Sequence, residues 1–183
     1  MQMERLVRLH DRSFRLYKSE SEILTAVREV ANKINAEYIG RRPLLVPVLN
    51  GAFMFASDLL KELKLDCELS FIQAASYHGT TKSTGNPIVA IGLNQSIEGR
   101  HVIIIEDIID TGVTLSKIIP EFLAQNPASV KVASLLLKPL ALKTDLKVDY
   151  VGMEIPNDFI VGYGLDYDGL GRNLRDIYQV IPE

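Results

Sequence analysis

The sequence is short of the features that mark several common classes of protein. It contains one cysteine, Cys67. That excludes a disulfide framework and any metal site built from several cysteines, and it suits a reducing compartment. No apolar run approaches the roughly 20 residues that a membrane-spanning helix needs. The first ten residues, Met1 to His10, are charged and lack the apolar stretch of a secretory signal. Basic charge is not in excess: 20 Lys and Arg against 23 Asp and Glu leave a formal net charge of −3. No global field therefore favours nucleic acid or an anionic membrane. No strand is followed by a Gly-Lys-Ser/Thr turn, which argues against a P-loop nucleotidase. Internal repeats and low-complexity segments are absent too. What remains is a 183-residue chain, 47% hydrophobic and 23% charged. That is the composition of a soluble globular protein and enough length for one ordinary domain with a real core. The expectation is a single cytoplasmic domain over 1–183, with neither nucleic acid nor membrane as a partner.

Taken in order, the chain alternates strand and helix patterns. Residues 1–18 are weakly patterned, with a short strand near Phe14–Tyr17. Ser19 and Glu22 form a capping box, and Ile23, Val27, Val30, Ala31 and Ile34 recur at helical spacing, predicting a helix over about 20–38. Leu44–Leu49 is a short apolar strand, followed by Asn50-Gly51-Ala52 and an apolar helix to about Leu63. Glu68–Ala75 reads as another strand. From Ser76 to Pro87 the chain turns polar, with little to bury, the composition of a functional lid over about 76–87. Ile88–Leu93, Val130–Lys138 and Tyr150–Met153 read as further strands. The tail, Ile155–Glu183, is glycine-rich and irregular, and reads as a small flap. Such alternation implies an α/β fold, a parallel sheet with helices on both faces. Ligands in such folds bind at the carboxyl ends of the strands. The turns at Asn50-Gly51, Glu106–Thr114 and Lys138 therefore converge on one rim.

The stretch His101–Leu115 is the most informative. A run of β-branched residues, the pattern of a strand buried on both faces, gives way to Glu106 and Asp107. Asp110 and Thr111-Gly112-Val113-Thr114 follow, and then an amphipathic helix over about 114–125. A Gly- and Thr-rich turn at a helix N-terminus is a place to hold a phosphate. Three acids just upstream need hydroxyl donors, a cation or a centre of developing positive charge to offset their repulsion.

Val102–Leu115 closely resembles the phosphoribosyl-diphosphate-binding signature of type I phosphoribosyltransferases: an apolar strand, two acids, two apolar residues, then Asp-Thr-Gly-x-Thr. Within that family the chain most resembles the hypoxanthine (hypoxanthine-guanine) group of purine salvage, and the resemblance covers most of its length. It implies a Rossmann-like core with a small hood drawn mainly from 1–18 and 155–183. Val130–Lys138 is similar to the family strand ending in a purine-reading lysine. An ammonium donates and cannot accept, which suits the O6 and N7 acceptors of a 6-oxopurine and disfavours adenine. Val151–Tyr163 resembles the segment that stacks an aromatic residue, here Phe159, on the base and reads its edge through the backbone of Ile160. Gly164–Leu174 resembles the segment carrying a metal-ligand Asp, here Asp166, and a diphosphate-binding Arg, here Arg172. Taken singly these two are ordinary surface charges; their spacing within the matched segment is what raises them. Val48–Ala52 resembles the diphosphate loop, with Asn50 where many relatives have Lys. Loops of this kind commonly contain a non-proline cis peptide, expected here at Leu49–Asn50.

The implied reaction transfers phosphoribosyl from phosphoribosyl diphosphate to hypoxanthine or guanine, giving IMP or GMP and diphosphate, with Mg²⁺. The resemblance implies that Glu106 and Asp107 hold the ribose hydroxyls, directly or near the metal. Asp110 is the implied general base at purine N7, and Thr111, Gly112, Val113 and Thr114 bind the 5′-phosphate. Asn50, Gly51 and Arg172 bind the diphosphate, and Asp166 ligates Mg²⁺. Relatives are commonly dimers or tetramers, so the resemblance implies a homodimer or homotetramer. His10, His78 and His101 do not group and receive no catalytic role, and Cys67 reads as a strand residue. Two other readings are a phosphoribosyltransferase for xanthine or a pyrimidine, and a regulator that reuses the fold to bind RNA or DNA. The lysine-terminated strand and the Phe159 segment disfavour the first. The negative charge and the intact Asp110 disfavour the second.

Overall fold

The computed structural model describes residues 6–76, 88–93 and 95–182. The expected lid therefore lies, Ser76 apart, outside the described residues. Helix α1 (Glu20–Glu37) begins where the sequence places it. The Ser19 side chain accepts from the backbone N–H of Glu22, and the Glu22 carboxylate accepts from the backbone N–H of Ser19. Its buried stripe is Ile23, Val27, Val30 and Ile34, one face of a 3.6-residue period. Helix α2 spans Phe53–Glu62 and α3 spans Val113–Leu123.

The main sheet has the order β6-β5-β3-β7-β8-β9, with β4 also beside β3. These strands are β3 (Leu44–Leu49), β4 (Glu68–Leu69), β5 (Ile72–Ser76), β6 (Ile88–Ile91), β7 (His101–Ile109), β8 (Ser129–Leu137) and β9 (Tyr150–Glu154). All pairings are parallel except that of β5 with β6. Because side chains alternate across a strand, Leu45, Ile103 and Ile105 pack with α1 and α2. Leu44, Val46, Val48, Val102 and Ile104 pack with α3 on the other face.

A second sheet, β1-β2-β11-β10, joins the two ends of the chain through β1 (Leu6–Leu9), β2 (Arg12–Lys18), β10 (Ile160–Val161) and β11 (Ile177–Val180). Its own small core is Phe14, Val161 and Tyr178. The irregular tail is thus half of an antiparallel sheet whose other half comes from the start of the chain, a pairing that local patterning does not carry.

Three boundaries differ from the sequence reading. The strand expected over 68–75 is broken into β4 and β5, although Ser70 N–H still donates to Leu45 O at 3.0 Å. Cys67 lies just before β4, partly buried among apolar neighbours. Strand β7 does not stop at the acids: its ladder with β8 continues through Ile108 opposite Leu136 and Ile109 opposite Leu137, so Glu106 and Asp107 lie inside it.

Candidate active site

The β7–β8 register sets the centre of the site. With Ile109 opposite Leu137, the next residues on the two strands are Asp110 and Lys138. Lys138 Nζ lies 3.0 Å from Asp110 Oδ2. The lysine is buried and the aspartate half exposed. Beyond Asp110, the chain turns through Thr111 and a left-handed Gly112 into α3. Glu106, Ile108, Ile109, Asp110, Thr111, Gly112, Thr114 and Leu115 surround a cavity of about 120 Å³ at that turn. Behind the turn, Lys143 N–H donates to Thr111 O at 3.0 Å, and the Thr144 hydroxyl lies against Gly112. The segment that begins at Lys138 therefore braces the expected phosphate site. Nothing in the sequence of 139–144 signals this, because the contact depends on the fold.

Glu106 and Asp107, neighbours on a strand, serve different sides of the site. Glu106 lines the cavity of the phosphate turn. Asp107 faces the 50–51 loop so closely that a Cβ built on Gly51 would stand 1.7 Å from its Oδ2. Both carboxylates are buried, and burial raises their proton affinity. Glu106 is pushed well above the ordinary carboxylate range by desolvation and by the negative charge of Asp107. Asp107 is pushed up to about 6, chiefly by desolvation. The N–H of Ile108, donating to its Oδ1 at 2.8 Å, and the nearby Arg172 cation oppose that rise, while the Asp166 anion adds to it.

The Leu49–Asn50 peptide is cis, where the sequence reading placed it. Asn50 is exposed, and Gly51 is packed against the tail: a Cβ on Gly164 would lie 2.1 Å from Gly51 O. Gly164 in turn exchanges hydrogen bonds with Arg172, donating its N–H to Arg172 O and accepting from Arg172 Nη1. Arg172 Nη2 pairs with Asp166 Oδ1 at 2.7 Å, and the other Asp166 oxygen accepts from Gly169 N–H. Asn50, Gly51, Asp107, Asp166 and Arg172 thus form one group, joined by backbone contact and charge.

Ile160, in β10 of the second sheet, and Phe159 just before it stand apart from this group. The Phe159 ring is 44% exposed and meets Phe14 and Tyr167, the latter edge-on at 5.7 Å between centroids. Ile160 is buried in β10, in register with Gln179. His101 bonds Ser129 at the opposite ends of the strands. The thiol of Cys67 is pushed up by burial and by Asp66, away from a nucleophile's range.

No cluster of three or more His, Cys, Asp or Glu among the described residues could enclose a metal. The donor set still suits Mg²⁺. That ion is commonly held by one or two carboxylates, with substrate oxygens and water completing its shell. Asp107 and Asp166 are close enough to raise one's proton affinity through the other's charge, and a cation between them would relieve that repulsion. Among the described residues, no helix is long and apolar enough to cross a membrane.

Comparison with known proteins identifies the family. The phosphoribosyl transferase domain model matches residues 17–168. The hypoxanthine-guanine phosphoribosyltransferase of Bacillus subtilis is 43% identical over 164 residues, 90% of this chain and 91% of that protein. The bifunctional protein TilS/HprT of Listeria innocua is 43% identical over 175 residues, 96% of this chain, which spans only 27% of that longer protein. A crystal structure of a hypoxanthine-guanine phosphoribosyltransferase from Bacillus anthracis matches with a TM-score of 0.82 at 36% identity, over 91% of this chain and 96% of that one. Agreement of this extent in sequence and fold places the chain in the phosphoribosyltransferase family, among the hypoxanthine-guanine phosphoribosyltransferases.

Proposed function

We propose that this protein transfers the 5-phosphoribosyl group of phosphoribosyl diphosphate to N9 of hypoxanthine or guanine, releasing diphosphate. The observation that carries the reading is the Lys138–Asp110 pair at the ends of β7 and β8, beside the phosphate turn. It sets a donor and an acceptor side by side, matching an O6 acceptor and an N7 that carries a proton to be lost. On binding, the purine edge replaces each partner of the pair with a group of its own.

The roles follow from position. Thr111–Thr114 hold the 5′-phosphate with backbone N–H groups and hydroxyls at the start of α3. Glu106, on that side, faces the ribose. Asp107 stands between the ribose and the 50–51 loop, where main-chain N–H groups of Asn50 and Gly51 receive the diphosphate. Asp107 and Asp166 would hold Mg²⁺, which when bound supplies positive charge against the diphosphate oxygens. Arg172, released from Asp166, turns to the same oxygens as a charge-assisted donor. As the C1–O bond breaks, positive charge grows on the ribose ring, and the buried acids stabilise that state more than the ground state. Asp110 accepts the proton from N7 as the purine is alkylated at N9. Phe159 stacks on the base, and the backbone of Ile160 reads its far edge.

Residues 1–183 form one catalytic domain, with the β1-β2-β11-β10 sheet as its hood. We expect it to act in the cytoplasm as a homodimer or homotetramer. The deciding experiment incubates the protein with phosphoribosyl diphosphate, Mg²⁺ and each nucleobase in turn, and measures diphosphate release. Release with hypoxanthine and guanine but not with adenine or uracil is the expected result. No release with any base would instead favour a binding protein built on the same fold.

A further inference from the structure

Tyr163 is buried, bulky and in the left-handed region at φ 49°, a conformation that residues with a Cβ adopt reluctantly. It stands between Gly162 and Gly164, whose φ values are also positive. Such a backbone persists only where its surroundings over-determine it, and here they do. The Tyr163 hydroxyl donates to Asp58 Oδ2 at 2.6 Å, and its N–H donates to Leu174 O at 2.8 Å. Lys61 engages the other Asp58 oxygen, leaving Oδ2 for the phenol. Burial and the aspartate keep the phenol protonated and therefore a donor.

The two ends of this bond are well placed. Asp58 lies on α2, the helix that starts directly after the Asn50–Ala52 loop. Tyr163 precedes Gly164, the residue whose backbone touches Gly51 and exchanges hydrogen bonds with Arg172. The phenol–carboxylate bond therefore closes a loop around the Gly51–Gly164 contact, fixing the hood segment against the helix that anchors the diphosphate loop. We propose that Tyr163 and Asp58 act as positioning residues, setting the distance between the Asn50–Gly51 N–H groups on one side and Asp166 and Arg172 on the other. Neither touches substrate. The inference rests on assigning 50–51, 166 and 172 to the diphosphate.

Steady-state kinetics of Tyr163→Phe, Asp58→Ala and Asp58→Asn test it, with melting temperatures recorded alongside. A misplaced diphosphate cradle raises KM for phosphoribosyl diphosphate by about tenfold in Tyr163→Phe and in Asp58→Ala. KM for hypoxanthine stays within about twofold, and the double variant is no worse than either single one. Asp58→Asn, whose amide oxygen still accepts from the phenol, restores a donor KM near that of the wild type. An unchanged donor KM, an equal rise in both KM values, or a fall in melting temperature alone overturns the proposal. Arg172→Ala is the control for the site assignment. If it leaves the donor KM unmoved, the assignment fails whatever Tyr163 does.

Discussion

Lys138 is already partnered in its pocket, by Asp110. A nearly buried ammonium without a partner is unfavourable by several kcal/mol, and the Asp110 carboxylate at 3.0 Å offsets that in the free protein. Under the proposed function a bound 6-oxopurine would take over both halves, O6 accepting from Lys138 and N7–H donating to Asp110. Asp110→Asn removes the base while keeping the shape, so turnover is expected to fall by about 10²- to 10⁴-fold. Affinity for phosphoribosyl diphosphate, read by calorimetry, changes little; equal losses in turnover and donor affinity would sink the general-base role. Lys138→Ala leaves O6 without its donor. It is expected to lower kcat/KM for hypoxanthine and guanine by about 10²-fold and to narrow their preference over adenine. Unchanged discrimination would contradict the assignment. Both residues stand out in the sequence as candidates, Asp110 in the Asp-Thr-Gly-x-Thr turn and Lys138 at the end of a strand. Their pairing does not, because they are 28 residues apart and meet only through the parallel register of β7 with β8. The division of labour between Glu106 and Asp107 was equally hidden. Adjacent letters on one line become opposite faces only once β7 is known to run past them.

At the scale of the element, loops and termini carried most of what the sequence left open. The start of α1 and the parallel strands followed from a capping box and from runs of β-branched residues, signals that are local. The tail signalled only irregularity through its glycines. What those glycines accommodate is a backbone crossing, visible only with the fold in hand. Gly164 is the sharpest case, with φ at 98° and Gly51 O at 2.1 Å from the position of a Cβ. Gly169 has a similar φ of 83° but nothing within 4 Å. Comparing the two alanine variants therefore separates backbone conformation from close approach. Gly169→Ala meets only the conformational penalty, about 1 kcal/mol. Gly164→Ala must also push apart two backbones and is expected to lose at least about 3 kcal/mol, with a weakened donor affinity as well. Urea midpoints of the two variants give the comparison. If Gly164→Ala is no less stable than Gly169→Ala, the contact between Gly164 and Gly51 is not the tight one described.

For the molecule as a whole, the site is a place where folding and function pull apart. The core needs Val102–Ile105 buried on both faces of the sheet, and the strand that provides them carries Glu106 and Asp107 inward with it. Burial raises the proton affinities of both carboxylates, and the negative charge of Asp107 adds to the rise at Glu106. The consequence for stability has a definite sign. Asp107, ordinarily near 3.8 and raised to about 6 here, holds more proton in the folded than in the unfolded state between those values. Stability from this group is therefore full below the lower value and is lost as pH climbs through about 6, by on the order of 3 kcal/mol. Glu106, raised well above 4.5, extends the loss to higher pH. Glu22 and Glu37, held low chiefly by hydrogen bonds from Ser19 and Lys131, act in the opposite sense at more acid pH. They are largely exposed, so their share is small. Unfolding free energy should therefore decline as pH rises from about 4 to about 6, and go on declining above that as Glu106 ionises. The Glu106→Gln, Asp107→Asn double variant should flatten that decline and exceed the wild type in stability at pH 8. It should also lose the stabilisation that phosphoribosyl diphosphate with Mg²⁺ gives the wild type. Urea titrations at a series of pH values, with and without donor and metal, measure both effects. A double variant less stable than the wild type at pH 8 would mean that the buried acids are already compensated in the free protein.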